Sequence, residues 1–205
     1  MKKAFTLAEV LITLGIIGIV ASLTMPGVIN GYKKIEYSTK IKRFVTVFSQ
    51  AILQIEAERG SSSLEWRRDQ DNMYVSDSAF VNEALIPQLR LGKVKYITER
   101  TQRALFPDGS MVTFGSGACL DVIYDCNGSK APNTYGADRF DFLMCFTDSR
   151  RKEFFKNENT FFGPQRRYAT REDALEACKI TPINCAGLLE IDNWEFKDDY
   201  PHKLQ

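Results

Sequence analysis

At 205 residues the chain has room for one ordinary domain plus a long membrane or coiled segment. Its 44% hydrophobic and 26% charged residues, without a low-complexity tract, are those of a folded protein. Twenty-seven basic against 26 acidic residues leave a formal charge of +1, which gives no general attraction to nucleic acid, and the absence of a fixed-period repeat excludes a solenoid or propeller.

The first element is Phe5 to Met25, twenty-one residues with a single charge, Glu9. At ~1.5 Å per residue it spans roughly 30 Å, the thickness of a bilayer core. Lys2 and Lys3 precede it, so the positive-inside rule keeps the extreme N-terminus in the cytoplasm and sends the rest outward. A cleaved secretory signal and a plain signal anchor are the ordinary readings. The apolar run is longer than a usual signal core, and no clear A-x-A site follows it. Against both readings stands Glu9, because an intramembrane carboxylate costs on the order of 2.5–3.5 kcal/mol at a helix centre and less near its end. Its own helix offers it no cation.

The string Lys2-Lys3-Ala4-Phe5-Thr6-Leu7-Ala8-Glu9, followed by an apolar run, resembles the cleavage and methylation motif of type IV prepilins and of the pseudopilins of type II secretion and DNA-uptake machines. The resemblance implies a cut by a membrane prepilin peptidase between Ala4 and Phe5, with Phe5 becoming the N-methylated terminus. It also implies that Glu9 pairs with the terminal amine of a neighbouring subunit. A buried ion pair is a better device for register than for stability, which suits helix stacking in a filament. Gly15, Gly18 and Pro26 fall where many members carry glycine, glycine and a helix-kinking proline, and those residues weaken helical hydrogen bonding. In one departure, Ala4 stands where the family usually has glycine.

Beyond Pro26, Val28, Tyr32, Ile35, Ile41, Phe44, Val45, Phe48, Ala51, Ile52 and Ile55 recur mostly at three- and four-residue steps. They predict an amphipathic helix to about Arg59, where Gly60 and three serines stop it. Lys33, Lys34, Lys40, Lys42 and Arg43 cluster near the membrane exit, as a solvated face or as a contact for lipid head groups or an acidic neighbour.

Residues 61–77 are polar and loop-like. Ser78 to Arg90 has helical spacing and is expected to stop near Pro87. Strands are expected at Val94–Thr98, Ala104–Phe106, Met111–Phe114, Cys119–Tyr124 and Phe140–Phe146, with Pro107-Asp108-Gly109-Ser110 as a hairpin turn. The fold class is therefore α+β: a long N-terminal helix packed on a small antiparallel sheet, which is also the pilin architecture. The tail from Asn193-Trp194 to Pro201 is expected to form a sheet-edge strand with a packed Trp.

Asp121, Asp125, Asn127, Asp138 and Asp141 form the richest polar stretch. They are candidate oxygen ligands for Ca²⁺, although the spacing is not that of an EF-hand; Asx turns and strand caps are the alternative. Calcium supports the corresponding region of some pseudopilins. Five cysteines lie in the second half without a C-x-x-C, and His202 is the only histidine, which speaks against zinc and dithiol redox motifs. Disulfides become plausible once this half is exported. Cys178 and Cys185 can close a short loop near Thr181-Pro182, and a C-terminal disulfide in many pilins makes this pair the first choice. Cys119 with Cys145 is second, leaving Cys126 odd.

The expected organisation is a leader over residues 1–4, a transmembrane and filament-core helix over 5–26, its amphipathic continuation over 27–59, and an exported head over 60–205. No catalytic residue is nominated: a lone histidine in the tail and the absence of a P-loop or G-x-G-x-x-G leave no catalytic constellation, so an enzyme is not expected. By resemblance the partners are other pilin or pseudopilin subunits, prepilin peptidase, an inner-membrane assembly platform and the bilayer, with no nucleic acid. The location would be the bacterial inner membrane, single-pass, and then a filament. The competing reading is a single-span anchored extracytoplasmic binding protein or hydrolase, for which Glu9 would be dispensable.

Overall fold

The computed structural model describes residues 6–60, 66, 73–89, 91, 94–98, 101–156 and 159–204. Helix α1 (Leu7–Arg59) runs unbroken for 53 residues, ~80 Å at the standard rise. Thr6 caps its start, and its end falls at Gly60, whose φ of 87° favours glycine and whose N–H donates to the Glu56 carbonyl at 2.8 Å. Pro26 sits inside the helix without ending it. The upper half buries Tyr37, Ile41, Phe44, Phe48, Ala51, Ile52 and Ile55, one stripe at three- and four-residue steps.

That stripe meets the inner face of an antiparallel meander. Among the described residues the sheet has six strands in sequence order: β1 (Val94–Thr98), β2 (Thr101–Leu105), β3 (Met111–Gly115), β4 (Leu120–Asp125), β5 (Arg139–Met144) and β6 (Phe162–Pro164). The β2–β3 turn is the expected hairpin. Gly109 takes φ 82°, and the Phe106 N–H donates to the Ser110 carbonyl at 2.9 Å. Alternation sends Val112, Phe114, Val122, Tyr124, Phe140 and Phe142 inward. Phe44 stacks on Tyr124 and Phe48 on Phe162, each with ring centroids 4.2 Å apart. Trp66 is buried against Phe80 and Phe161 and donates its indole N–H to the Gly60 carbonyl at 3.1 Å.

Three expectations need correction. The region expected to be loop up to residue 77 is helical from residue 73, in α2 (Met73–Phe80), because Asp77 and Ser78 dock on the sheet through Ser116 and Gln102 rather than facing water. Pro87 does not stop the helix, which continues as α3 (Ile86–Leu89). A π-helical turn at Val81–Leu85 precedes it, where the Ile86 N–H reaches the Val81 carbonyl, and this widened turn makes room for the ring. The tail is irregular rather than a strand: Asn193 and Trp194 both have positive φ, and the segment is held by turns and ion pairs. Its Trp194 does pack, 5.8 Å from Phe142. Most of residues 61–72, together with Arg90, lie outside the described residues.

Hydrophobic periodicity does not announce three further helices, one between β5 and β6 and two between β6 and the tail. They are α4 (Asp148–Phe155), α5 (Arg171–Ile180) and α6 (Cys185–Ile191). Thr147 and Thr170 cap the first two. Leu189 of α6 completes the main core, while Phe155 of α4 covers Leu143 and the Cys119–Cys145 pair on the sheet's other face.

Candidate functional site

At the start of α1, Thr6 and Glu9 form a reciprocal capping box. The Glu9 N–H donates to Thr6 Oγ1 at 3.3 Å, while Glu9 Oε2 accepts from the Thr6 N–H at 2.9 Å and the Thr6 hydroxyl at 2.8 Å. Glu9 thus finds donors in its own chain, though no cation. Thr6 was not singled out by the charge argument; its signal is the Thr-x-x-Glu spacing that opens an apolar run. Ala4 and Phe5, the expected cleavage site, lie outside the described residues.

Above this box the helix is bare. An 18-residue window of mean hydropathy 2.2 has none of its residues buried, and Leu7, Leu11, Ile12, Leu14, Ile17 and Leu23 are all more than half exposed. Beyond the backbone of their own helix, Gly15 and Gly18 have nothing within 4 Å of where a Cβ would stand. Pro26 has no N–H for the Ser22 carbonyl four residues back, so the ladder lacks one bond there. The exposed apolar stripe continues past the proline through Val28, Tyr32 and Ile35 on the side away from the head. Such a surface fits lipid, or other apolar helices, and not water.

The basic cluster is drawn to acids of the same chain. Lys42 pairs with Glu195 at 2.8 Å and Lys34 with Asp198 at 3.2 Å, which ties the tail to α1. Lys40 pairs with Glu36 at 2.8 Å and donates to the Cys126 carbonyl at 2.9 Å, while Arg43 lies 3.7 Å from Asp108 of the hairpin turn. Arg171 of α5 holds Asp192 and Asp199, both at 2.7 Å, so the tail is clasped at both ends.

The five candidate calcium ligands divide into two groups. Asp138 is the hub of the first: its carboxylate accepts from the Asn133 N–H at 2.9 Å, the Thr134 N–H at 2.6 Å and Asn127 Nδ2 at 3.0 Å. Asp125 accepts from Arg139 Nε at 2.9 Å. This arrangement organises the loop between β4 and β5 with protein donors. Asp121 and Asp141 form the second group, on the sheet face turned away from α1. Burial and the neighbouring Asp121 carboxylate push Asp141 up to about 7, and burial, then Asp77, raise Asp121.

Both expected disulfides are formed, Cys178–Cys185 joining α5 to α6 and Cys119–Cys145 joining the start of β4 to the end of β5. Cys126 is free and buried, and burial pushes its thiol well up. His202 lies against the first bridge, with Nε2 2.9 Å from the Cys178 carbonyl, and Tyr200 donates to the Gly136 carbonyl at 2.7 Å. The tail therefore fastens the β4–β5 loop to the α5–α6 hairpin.

Two family models match the chain. One, described as a prokaryotic N-terminal methylation motif, covers residues 1–25, and the other, a family of unknown function (DUF6613), covers residues 27–204. No curated protein and no solved structure matches. The boundary between the two matches falls at Pro26, where the bare half of α1 gives way to the half that carries the head.

Proposed function

This chain belongs to the family of unknown function DUF6613, with a type IV pilin-like N-terminus, and we propose that it is a structural subunit, pilin or pseudopilin, of a type IV pilus-like or type II secretion-like filament. Prepilin peptidase removes residues 1–4, Phe5 becomes the methylated terminus, and the subunit waits in the inner membrane with its head outside. An assembly platform then stacks α1 against the same helix of other subunits. The chain performs no chemistry of its own; its work is done by packing.

One observation carries this reading. The first twenty residues of α1 are apolar, untouched by the head, and contain a carboxylate. A plain anchor uses Glu9 only to cap its own helix, whereas a helix that must meet another chain in register has a use for its charge as well.

Glu9→Leu in the full-length chain tests it. Membrane insertion and head folding should survive, while the assembled fraction, read as sheared material that sediments as filaments, should fall at least tenfold. An anchored binding protein or hydrolase would keep its location and activity, and the filament reading would then fail.

A further inference from the structure

At about 100° per residue, Lys34, Ser38 and Lys42 share one flank of α1, and Lys33, Lys40, Arg43 and Val47 lie on roughly the opposite one. The tail returns along the first flank. There the turn closed by the Tyr200 N–H on the Lys197 carbonyl, at 3.1 Å, presents Asp198 with its side chain fully exposed. The second flank borders a trough between α1, the β2–β3 turn and the β4–β5 loop. Two hollows of about 520 and 340 Å³ share Lys40 and Asp108 and so form one continuous depression. Phe44, Phe106 and Tyr124 line the larger hollow. The rim carries Lys33, Lys40, Arg43 and Lys130 against Glu36 and Asp108, an excess of positive charge.

We propose that the acidic turn at Asp198 of one subunit docks on the trough beside Arg43 of a second copy. The contact rests on the filament reading above and names the head surfaces it would use. Charge complementarity selects the occupant, a carboxylate turn for a basic rim. At each surface the docking group is the exposed member of its intrachain pair: Asp198, fully exposed, with the more covered Lys34, and Arg43, 61% exposed, 3.7 Å from the more covered Asp108. Each pair is therefore readily exchanged for a partner across an interface. Donor and acceptor surfaces on opposite flanks make a heterologous contact, which does not close in pairs and propagates as a helix. Lys34 and Arg43 are nine residues apart on α1, so neighbouring heads are staggered by up to ~13 Å along the helix axis.

The test is a charge swap in the full-length protein, assembled in its own membrane. Arg43→Glu and Asp198→Arg should each lower the sedimenting filament fraction about tenfold, and the double variant should restore most of it, with thermal melts of all heads unchanged. Singles that assemble like the parent chain overturn the docking. So does a loss in Arg43→Glu that Asp198→Arg does not repair, which would give the trough to another anion such as a lipid head group. Glu9→Leu run in parallel separates the two readings. If the parent assembles, Glu9→Leu does not, and the swaps have no effect, only the docking fails. If neither the parent nor Glu9→Leu assembles, the filament reading fails first.

Discussion

The two halves of α1 are one helix in two solvents. Below Pro26 its large apolar side chains stand free, with Leu7 81% and Leu23 76% exposed; above it Ile41 and Phe48 are at 0%. The presence of Ile, Val and Leu alone does not separate them, since both halves hold all three. Periodicity does: the lower half is apolar all round, and the upper half is apolar on one stripe. An all-round apolar helix asks for lipid or identical neighbours, whereas a striped one asks for a single cover, which the sheet provides.

Substitutions in the covered half strike hardest at the head. Phe48 is wholly buried, stacks on Phe162 and touches Phe44 and Phe114, so Phe48→Ala should cost about 3–5 kcal/mol of head stability in a denaturant melt. The same truncation at an exposed position such as Leu11 should leave the head's midpoint unchanged, and equal effects at the two sites would erase the distinction.

Next in size is Asp141, 4% exposed and raised to about 7 by burial and Asp121. The folded chain holds this proton at pH values where the unfolded carboxyl has lost it. The contribution of Asp141 to stability is therefore full below about pH 4, falls as pH rises toward 7, and is flat beyond. Asp141→Asn should flatten that slope and, at pH 8, stabilise the head by about 2–4 kcal/mol, because the buried charge is gone. A Tm profile unchanged between pH 5 and 8 in the two proteins would refute it.

Opening the Cys178–Cys185 bridge with Cys178→Ser and Cys185→Ser should cost the head roughly 2–3 kcal/mol, the chain-entropy value for a short loop, without affecting membrane insertion. The smallest expected effect is that of calcium. Asp125 and Asp138 already accept from protein donors, so millimolar calcium or a chelator should leave Tm in place. A rise of several degrees would reinstate the oxygen cage.

The two regions also differ in how legible they are. Length, Lys2–Lys3 and Glu9 make the lower helix readable, and the stripe from Ile41 to Ile55 places the upper one to within its last residue, because each signal is local. Strands β1 to β5 and the Gly109 turn are readable for the same reason, whereas β6 was not expected and the Cys178–Cys185 pair was chosen by the pilin resemblance. The α5 helix is not readable, since its buried stripe is only Ala174 and Cys178; the Thr170–Asp173 cap was its one visible mark. Among site residues, Thr6 escaped a search for charges because it is neutral. The tail misled because Trp194 and its aromatic neighbours suit a strand, while the ion pairs to Lys34, Lys42 and Arg171 that hold it lie far away in sequence.

The capping box bears on how a filament of such subunits would come apart as well as together. Thr6 and Glu9 both lie beyond the expected cut, so the box outlives the leader. On the proposed reading, an incoming terminal amine does not find a bare carboxylate; it displaces hydrogen bonds that are already satisfied. Joining becomes an exchange between two states in which Glu9 is never left alone in lipid, and leaving is the same exchange reversed.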